Sequence, residues 1–163
     1  PRRLRRPRPR RCPSRWTRSV AWSPGLRAFV RELRIVGAAM VRRELRPGDV
    51  VFRQGDSAEA LYVVTRGSVS AVAIVRGPVN RLQRFASLGP GTMFGEMALL
   101  DQAGRSADAV ADDAACLQVL SLEALERLML EHPELTAKLY RNIAAHLGER
   151  LRIASIAWQA AAA

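Results

Sequence analysis

The apolar positions change period twice along the chain, and those changes predict its elements. Leu26, Phe29, Val30, Leu33 and Val36 recur at three- and four-residue steps after the Pro24-Gly25 break, which predicts a short amphipathic helix. From Met40 to Leu120 the pattern shifts to short β-rich runs: Val50–Phe52, Leu61–Thr65, Val69–Val75, Leu82–Leu88, Ala107–Ala111 and Cys116–Leu120. Pro47-Gly48, Gly55-Asp56, Arg66-Gly67, Gly77-Pro78 and Gly89-Pro90-Gly91 punctuate them, so each run reads as a strand closed by a turn. Many short strands at near-regular spacing predict a mainly β fold with flanking helices. The expected form is a double-sheet β-roll, jelly-roll-like, whose layers bury each other and leave one end open for a ligand.

After Ser121 the helical period returns. Ser121 is a good N-cap for a helix over Leu122–Glu131, His132-Pro133 breaks it, and Pro133 suits the first turn of a second helix running to about Trp158. Leu135, Leu139, Ile143, Leu147 and Leu151 form a stripe at four-residue steps on that helix, with Tyr140, Ile153 and Ile156 adjoining. Its first half is expected to pack on the roll. The second half runs past a small roll's edge, which predicts a homodimer through Ile143, Leu147, Leu151 and Ile156.

Composition changes this picture only at the amino terminus. The 163 residues, 48% hydrophobic, suffice for one core, and the formal net charge is +11. Nine arginines and no acidic residue lie in residues 1–23, so residues 24–163 are close to neutral. We read residues 1–23 as a basic Pro/Arg-rich disordered tail or linker and residues 24–163 as the folded domain. An opening Pro in place of Met fits a truncated upstream region. The run from Val20 to Val30 is broken by Ser23-Pro24-Gly25 and Arg27, against a secretory signal, and no stretch is long and apolar enough to span a bilayer. A cytoplasmic setting is the default expectation. Cys12 and Cys116 lack C-x-x-C spacing, so neither a zinc site nor a disulfide framework is expected, and Cys116 reads as a small core hydrophobe.

The candidate chemistry concentrates in Phe94-Gly95-Glu96-Met97-Ala98-Leu99-Leu100 and Arg105-Ser106-Ala107. A short helical turn opening at Gly95 would aim unpaired N–H groups at an anion, and Arg105, returning nine residues after Glu96, could neutralise it. A carboxylate beside a phosphate is repelled unless it serves a neutral group. Glu96 therefore suits a sugar hydroxyl. The segment resembles the phosphate-binding cassette of the cyclic nucleotide-binding domains, the family of catabolite activator proteins and protein kinase A regulatory subunits. Leu45-Arg46-Pro47-Gly48-Asp49-Val50-Val51-Phe52-Arg53-Gln54-Gly55-Asp56 and Leu61-Tyr62-Val63-Val64-Thr65-Arg66-Gly67-Ser68-Val69 resemble two further motifs of that family, in order, and the likeness covers about Leu33 to Trp158.

The resemblance implies that Gly95 and Ala98 offer backbone N–H groups, that Glu96 accepts from the ribose 2′-hydroxyl, and that Arg105 with Ser106 binds the cyclic phosphate. It also implies a C-terminal hinge, between Ser121 and Pro133, and a lid helix whose base-contacting pair falls at Arg150-Leu151. The expected ligand contacts are thus Phe94, Gly95, Glu96, Met97, Ala98, Arg105, Ser106, Ala107 and Arg150, with Arg105 serving the ligand and dispensable for the unliganded fold.

Other chemistry does not fit. Gly89-Pro90-Gly91-Thr92-Met93-Phe94-Gly95 has the wrong last interval for a dinucleotide fingerprint, and no glycine loop runs into Gly-Lys-Ser/Thr. His132 and His146 read as surface or cap residues, and Asp112-Asp113 as a solvated turn. The expectation is a regulatory, non-enzymatic module with no catalytic residue, metal or cofactor, whose ligand is cAMP first and cGMP second. The alternatives are a ligand-independent oligomerisation or docking domain, or a fragment of a transcription regulator or of a nucleotide-regulated transporter or enzyme. No DNA-binding helix-turn-helix is expected in this chain, and the output module, expected elsewhere, could be membrane-bound.

Overall fold

The computed structural model describes residues 24–75, 81–97, 100 and 103–161. The basic segment 1–23, with Cys12, lies outside them. Helix α1 (Pro24–Ala39) leads into eight strands: β1 (Val41–Leu45), β2 (Val50–Phe52), β3 (Ala60–Arg66), β4 (Val69–Val75), β5 (Arg81–Leu88), β6 (Met93–Phe94), β7 (Asp108–Ala111) and β8 (Ala115–Ser121). Helices α2 (Leu122–Glu131) and α3 (Pro133–Ala161) close the described chain. The strands form two four-stranded antiparallel sheets, ordered β1-β8-β3-β6 and β2-β7-β4-β5, as the double-sheet roll requires.

Two apolar clusters share the first sheet. The inner one draws on all eight strands, with Val64, Val69, Leu117 and Ala109 almost wholly buried between the layers. The outer one joins Leu61 and Leu120, on the sheet's other face, to Ala124, Leu125 and Leu128 of α2 and Ile143 of α3. Because β3 is covered on both faces, Ala60, Leu61 and Tyr62 are buried in succession and no two-residue alternation shows. Among the described residues no helix covers the second sheet at β5, where Leu82 and Phe85 stay exposed beside Ile74 of β4.

Two strands escape the sequence pattern. β1 is an edge strand of polar composition, Val-Arg-Arg-Glu-Leu, with only Leu45 buried. β6 has two residues, too few to show a period. In α1 Leu33 is exposed and Val36 half-buried, while Ile35 and Ala39, with Met40 just after the helix, pack on the outer cluster. An ion pair of 2.5 Å between Glu32 and Lys138 ties α1 to α3.

The C-terminal boundaries follow the expected caps. Ser121 Oγ accepts from Ala124 N–H at 3.1 Å, and the His132 N–H closes α2 on the Leu128 carbonyl at 2.8 Å. Pro133 then opens α3, which runs three residues beyond Trp158. Leu139, Ile143 and Leu147 face the outer cluster, but Leu151, Ile153, Ile156 and Trp158 stand exposed. Cys116 is fully buried, as expected of a core hydrophobe. His146 is half-buried, with its Nδ1 lacking a hydrogen-bond partner among the described residues, and so departs from the surface reading. No helix among them is long and apolar enough to cross a membrane, and no group of three or more His, Cys, Asp or Glu side chains among them could hold a metal.

Candidate functional site

A small open cavity of about 60 Å³ lies between the sheets' ends and α3. Phe52, Ala71, Leu88, Phe94 and Ala109 make its apolar wall, and Glu96, Arg105, Ser106, Asp108 and Arg150 its polar one, with Gly95, Met97 and Ala107 between. The structure thus gathers eight of the nine sequence-predicted residues around one space; the ninth, Ala98, lies outside the described residues. Met97 is half-exposed and Ser106 exposed, while Phe94, Glu96 and Arg105 are buried. Leu151, the other half of the expected lid pair, points away into solvent at 69% exposure.

The local backbone differs from the expectation at one point. Gly95 has φ +79°, the left-handed region, so the helical turn begins at Met97 instead. Glycine is required here twice over. A Cβ would meet Arg105 Nη1 at 2.8 Å and the Tyr62 ring at 3.2 Å.

Arg105 is 3% exposed and built into the roll. Its Nη1 donates to the Gly95 carbonyl and its Nη2 to the Ala60 carbonyl, both at 2.7 Å. The guanidinium carbon sits 4.4 Å over the Phe52 ring and 5.6 Å from the Tyr62 ring, and these two rings with Phe94 form a cluster at 5.2 to 6.0 Å. Charge-assisted bonds to two chain segments plus a cation–π platform make this side chain part of the fold. These structural partners of Arg105 were not foreseen in the sequence. A buried Nε–H is left, without a partner among the described residues, on the guanidinium that lines the cavity.

Glu96 is buried more deeply still, at 1% exposure, but its support comes from another direction. Arg150 Nη1, on α3, donates to Glu96 Oε1 at 2.8 Å, while Oε2 has no partner among the described residues. A carboxylate with one buried, unmatched oxygen carries a desolvation cost of order 1–3 kcal/mol until a donor arrives. A hydroxyl at the cavity wall would meet that need.

Three parts of the site were not legible as site residues. Phe52 and Tyr62 belonged to sequence motifs but gave no sign of lying under Arg105, and Asp108 read only as part of the strand run Ala107–Ala111. Asp112 and Asp113, by contrast, are turn residues as expected: Asp112 accepts from Ser70 and Arg84, and Asp113 from the Ser68 N–H.

A profile of the cyclic nucleotide-binding domain matches residues 42–132, the roll together with α2. The chain belongs to the cyclic nucleotide-binding domain family. It is 40% identical over 116 residues to the cyclic AMP receptor protein of Thermus thermophilus, covering 71% of this chain and 51% of that protein. It is 38% identical over 124 residues to Glutaminase 1 of Bradyrhizobium diazoefficiens, covering 76% of this chain and 19% of the relative. Among solved structures, the catabolite activator protein of Thermus thermophilus superposes with a TM-score of 0.68 at 36% identity, over 83% of this chain and 58% of that one. The chain spans about half, or much less, of the length of these curated relatives. The β-roll of the family is the one described here, and the Phe94–Ala107 cassette lies inside the matched span.

Proposed function

We propose that this chain is a non-enzymatic regulatory module that binds a cyclic nucleotide, cAMP first and cGMP second, in the cavity between Glu96, Arg105 and Arg150. The observation that carries the reading is Glu96: a buried carboxylate with one oxygen held by the lid helix and the other unmatched, across a small cavity from a fixed guanidinium. A ribose 2′-hydroxyl donates to Oε2, and the cyclic phosphate takes the remaining donors of Arg105 and Ser106, with the N–H groups of Gly95 and Ala98. The apolar wall of Ala71, Leu88 and Ala109 suits a base. Relatives that bear the name cyclic AMP receptor protein support the choice of cAMP.

In this reading residues 24–163 are the binding module and residues 1–23 an appended basic arm, in a cytoplasmic setting. Binding is coupled to α3 through Arg150, because whatever adds a donor at Glu96 changes the balance that holds the helix, and a ligand shifts the equilibrium only by its differential affinity for the two placements. The exposed apolar end of α3 serves a homodimer: at 29 residues the helix is about 43 Å long, and from Leu151 on it has no cover in the described chain. The output module lies outside this chain.

A second reading has its own observation. Glu96 and Arg105 are already bonded within the protein, as a ligand-independent docking domain would have them. Calorimetric titration with cAMP, cGMP and 5′-AMP separates the two. The expected result is binding of cAMP, a weaker response to 5′-AMP, and a native state stabilised by about 2.7 kcal/mol at ~100 Kd of ligand. No heat and no thermal shift with millimolar cAMP or cGMP would leave the docking domain as the reading.

A further inference from the structure

Asp108 opens β7 three residues after Arg105 and lines the same cavity. Its Oδ1 accepts from the Gln54 N–H at 2.6 Å, and Gln54 belongs to the tight turn after β2. That turn closes on itself through Arg53 N–H to Asp56 Oδ2 at 2.7 Å and Asp56 N–H to the Arg53 carbonyl at 3.1 Å. It also grips the main chain of Arg105 from both sides: the Gly55 N–H donates to the Arg105 carbonyl at 2.8 Å, and the Arg105 N–H to the Asp56 carbonyl at 3.0 Å. The two segments lie so close at Gly104 that a Cβ there would meet the Gly55 carbonyl oxygen at 3.0 Å and its Cα at 3.1 Å. The Asp108 carboxylate is the side-chain tie of this clasp. It is also a negative charge on the wall of a cavity where two carboxylates offset two guanidinium groups.

We infer that Asp108 sets the affinity of the site in two opposed ways, positioning Arg105 through the clasp and repelling the ligand's phosphate by its charge; this rests on the cyclic nucleotide reading above. Asparagine separates the two, since it keeps an Oδ1 acceptor for Gln54 and removes the charge. Asp108→Asn is expected to bind cAMP about five- to tenfold more tightly at low salt, the size of one charge felt across several ångströms of partly solvated protein. The gain should shrink at molar salt, where the screening length falls to about 3 Å. Asp108→Ala removes charge and tie together, so it should bind more weakly than the Asn variant and lose hydrogen-exchange protection at the Gln54 amide, which Asp108→Asn retains.

The experiment is calorimetric titration of cAMP into the wild type and both variants at low and molar salt, with amide exchange measured on the unliganded proteins. Tighter, salt-sensitive binding by Asp108→Asn with a protected Gln54 amide supports the inference. Wild-type binding with no gain in Asp108→Asn, or equal Gln54 protection in all three proteins, overturns it and leaves the cyclic nucleotide reading standing. A wild type that takes up no cyclic nucleotide overturns both.

Discussion

The two charged residues at the heart of the cavity are about equally buried, yet they belong to different parts of the molecule. Arg105 is tied to the roll, by two main-chain carbonyls and the Phe52 face. Glu96 is tied to the lid, by a guanidinium that travels with α3 and is itself 41% exposed. One half of the site is therefore finished when the roll folds, and the other is finished only when the helix sits where it does here. In the proposed reading, a pocket divided in this way keeps its anion contact fixed while its hydroxyl contact reports helix position. A related division runs along α3, which contacts the outer cluster through Leu139, Ile143 and Leu147 and the cavity through Arg150, and is bare from Leu151 on.

The comparison breaks first, if it breaks, at Arg105. Arg105→Ala should lower unliganded stability by about 3 kcal/mol or more, because two charge-assisted bonds and a ring contact go and two carbonyls lose their donor. Urea denaturation measures it; a wild-type midpoint would return Arg105 to a purely ligand-binding role. Arg150→Ala should cost less, about 1–2 kcal/mol, since its partner is buried but the arginine itself is half in water. That variant should also raise amide exchange along the second half of α3 and leave the roll protected, and a uniform rise over both would erase the distinction drawn here.

Smaller effects sharpen the boundary. Ser121→Ala removes the cap between roll and lid and should lower stability by about 1 kcal/mol in thermal or chemical unfolding. Ile156→Asp lies on the bare end of α3 and should move the stability of the monomer by no more than about 0.5 kcal/mol while dissociating the proposed dimer in sedimentation. Leu147 is the wrong position for that test, because it packs on the outer cluster and an aspartate there would damage the fold. A monomer at tens of micromolar with and without cAMP would remove the dimer and keep the rest.

Much of the fold was legible in the sequence, but this division was not. Strand runs, glycine turns, the Ser121 cap and the Pro133 start are local signals, and the elements formed where they stood. The cassette residues were singled out by their types and spacing, and eight of the nine line one cavity. What escaped was set by packing between distant segments. The edge strand Val41–Leu45 is held by pairing with β8 and carries no apolar alternation of its own. The docking of Ile35 and Met40 on the outer cluster is a tertiary contact, and the ion pair of α1 spans 106 positions to Lys138. The structural role of Arg105 depends on Ala60, 45 residues away, and no spacing rule brings those two together.

The most direct test of the ligand assignment is to compare cAMP with 2′-deoxy-cAMP on the wild type and on Glu96→Met, a replacement of similar length without the carboxylate. If Glu96 Oε2 receives the ribose hydroxyl, the wild type should lose about 10- to 100-fold in affinity for the deoxy ligand, the worth of a hydrogen bond to a charged group. Glu96→Met should bind both ligands weakly and alike. Equal discrimination in the two proteins, or none in the wild type, would contradict the assignment of Glu96 to the sugar.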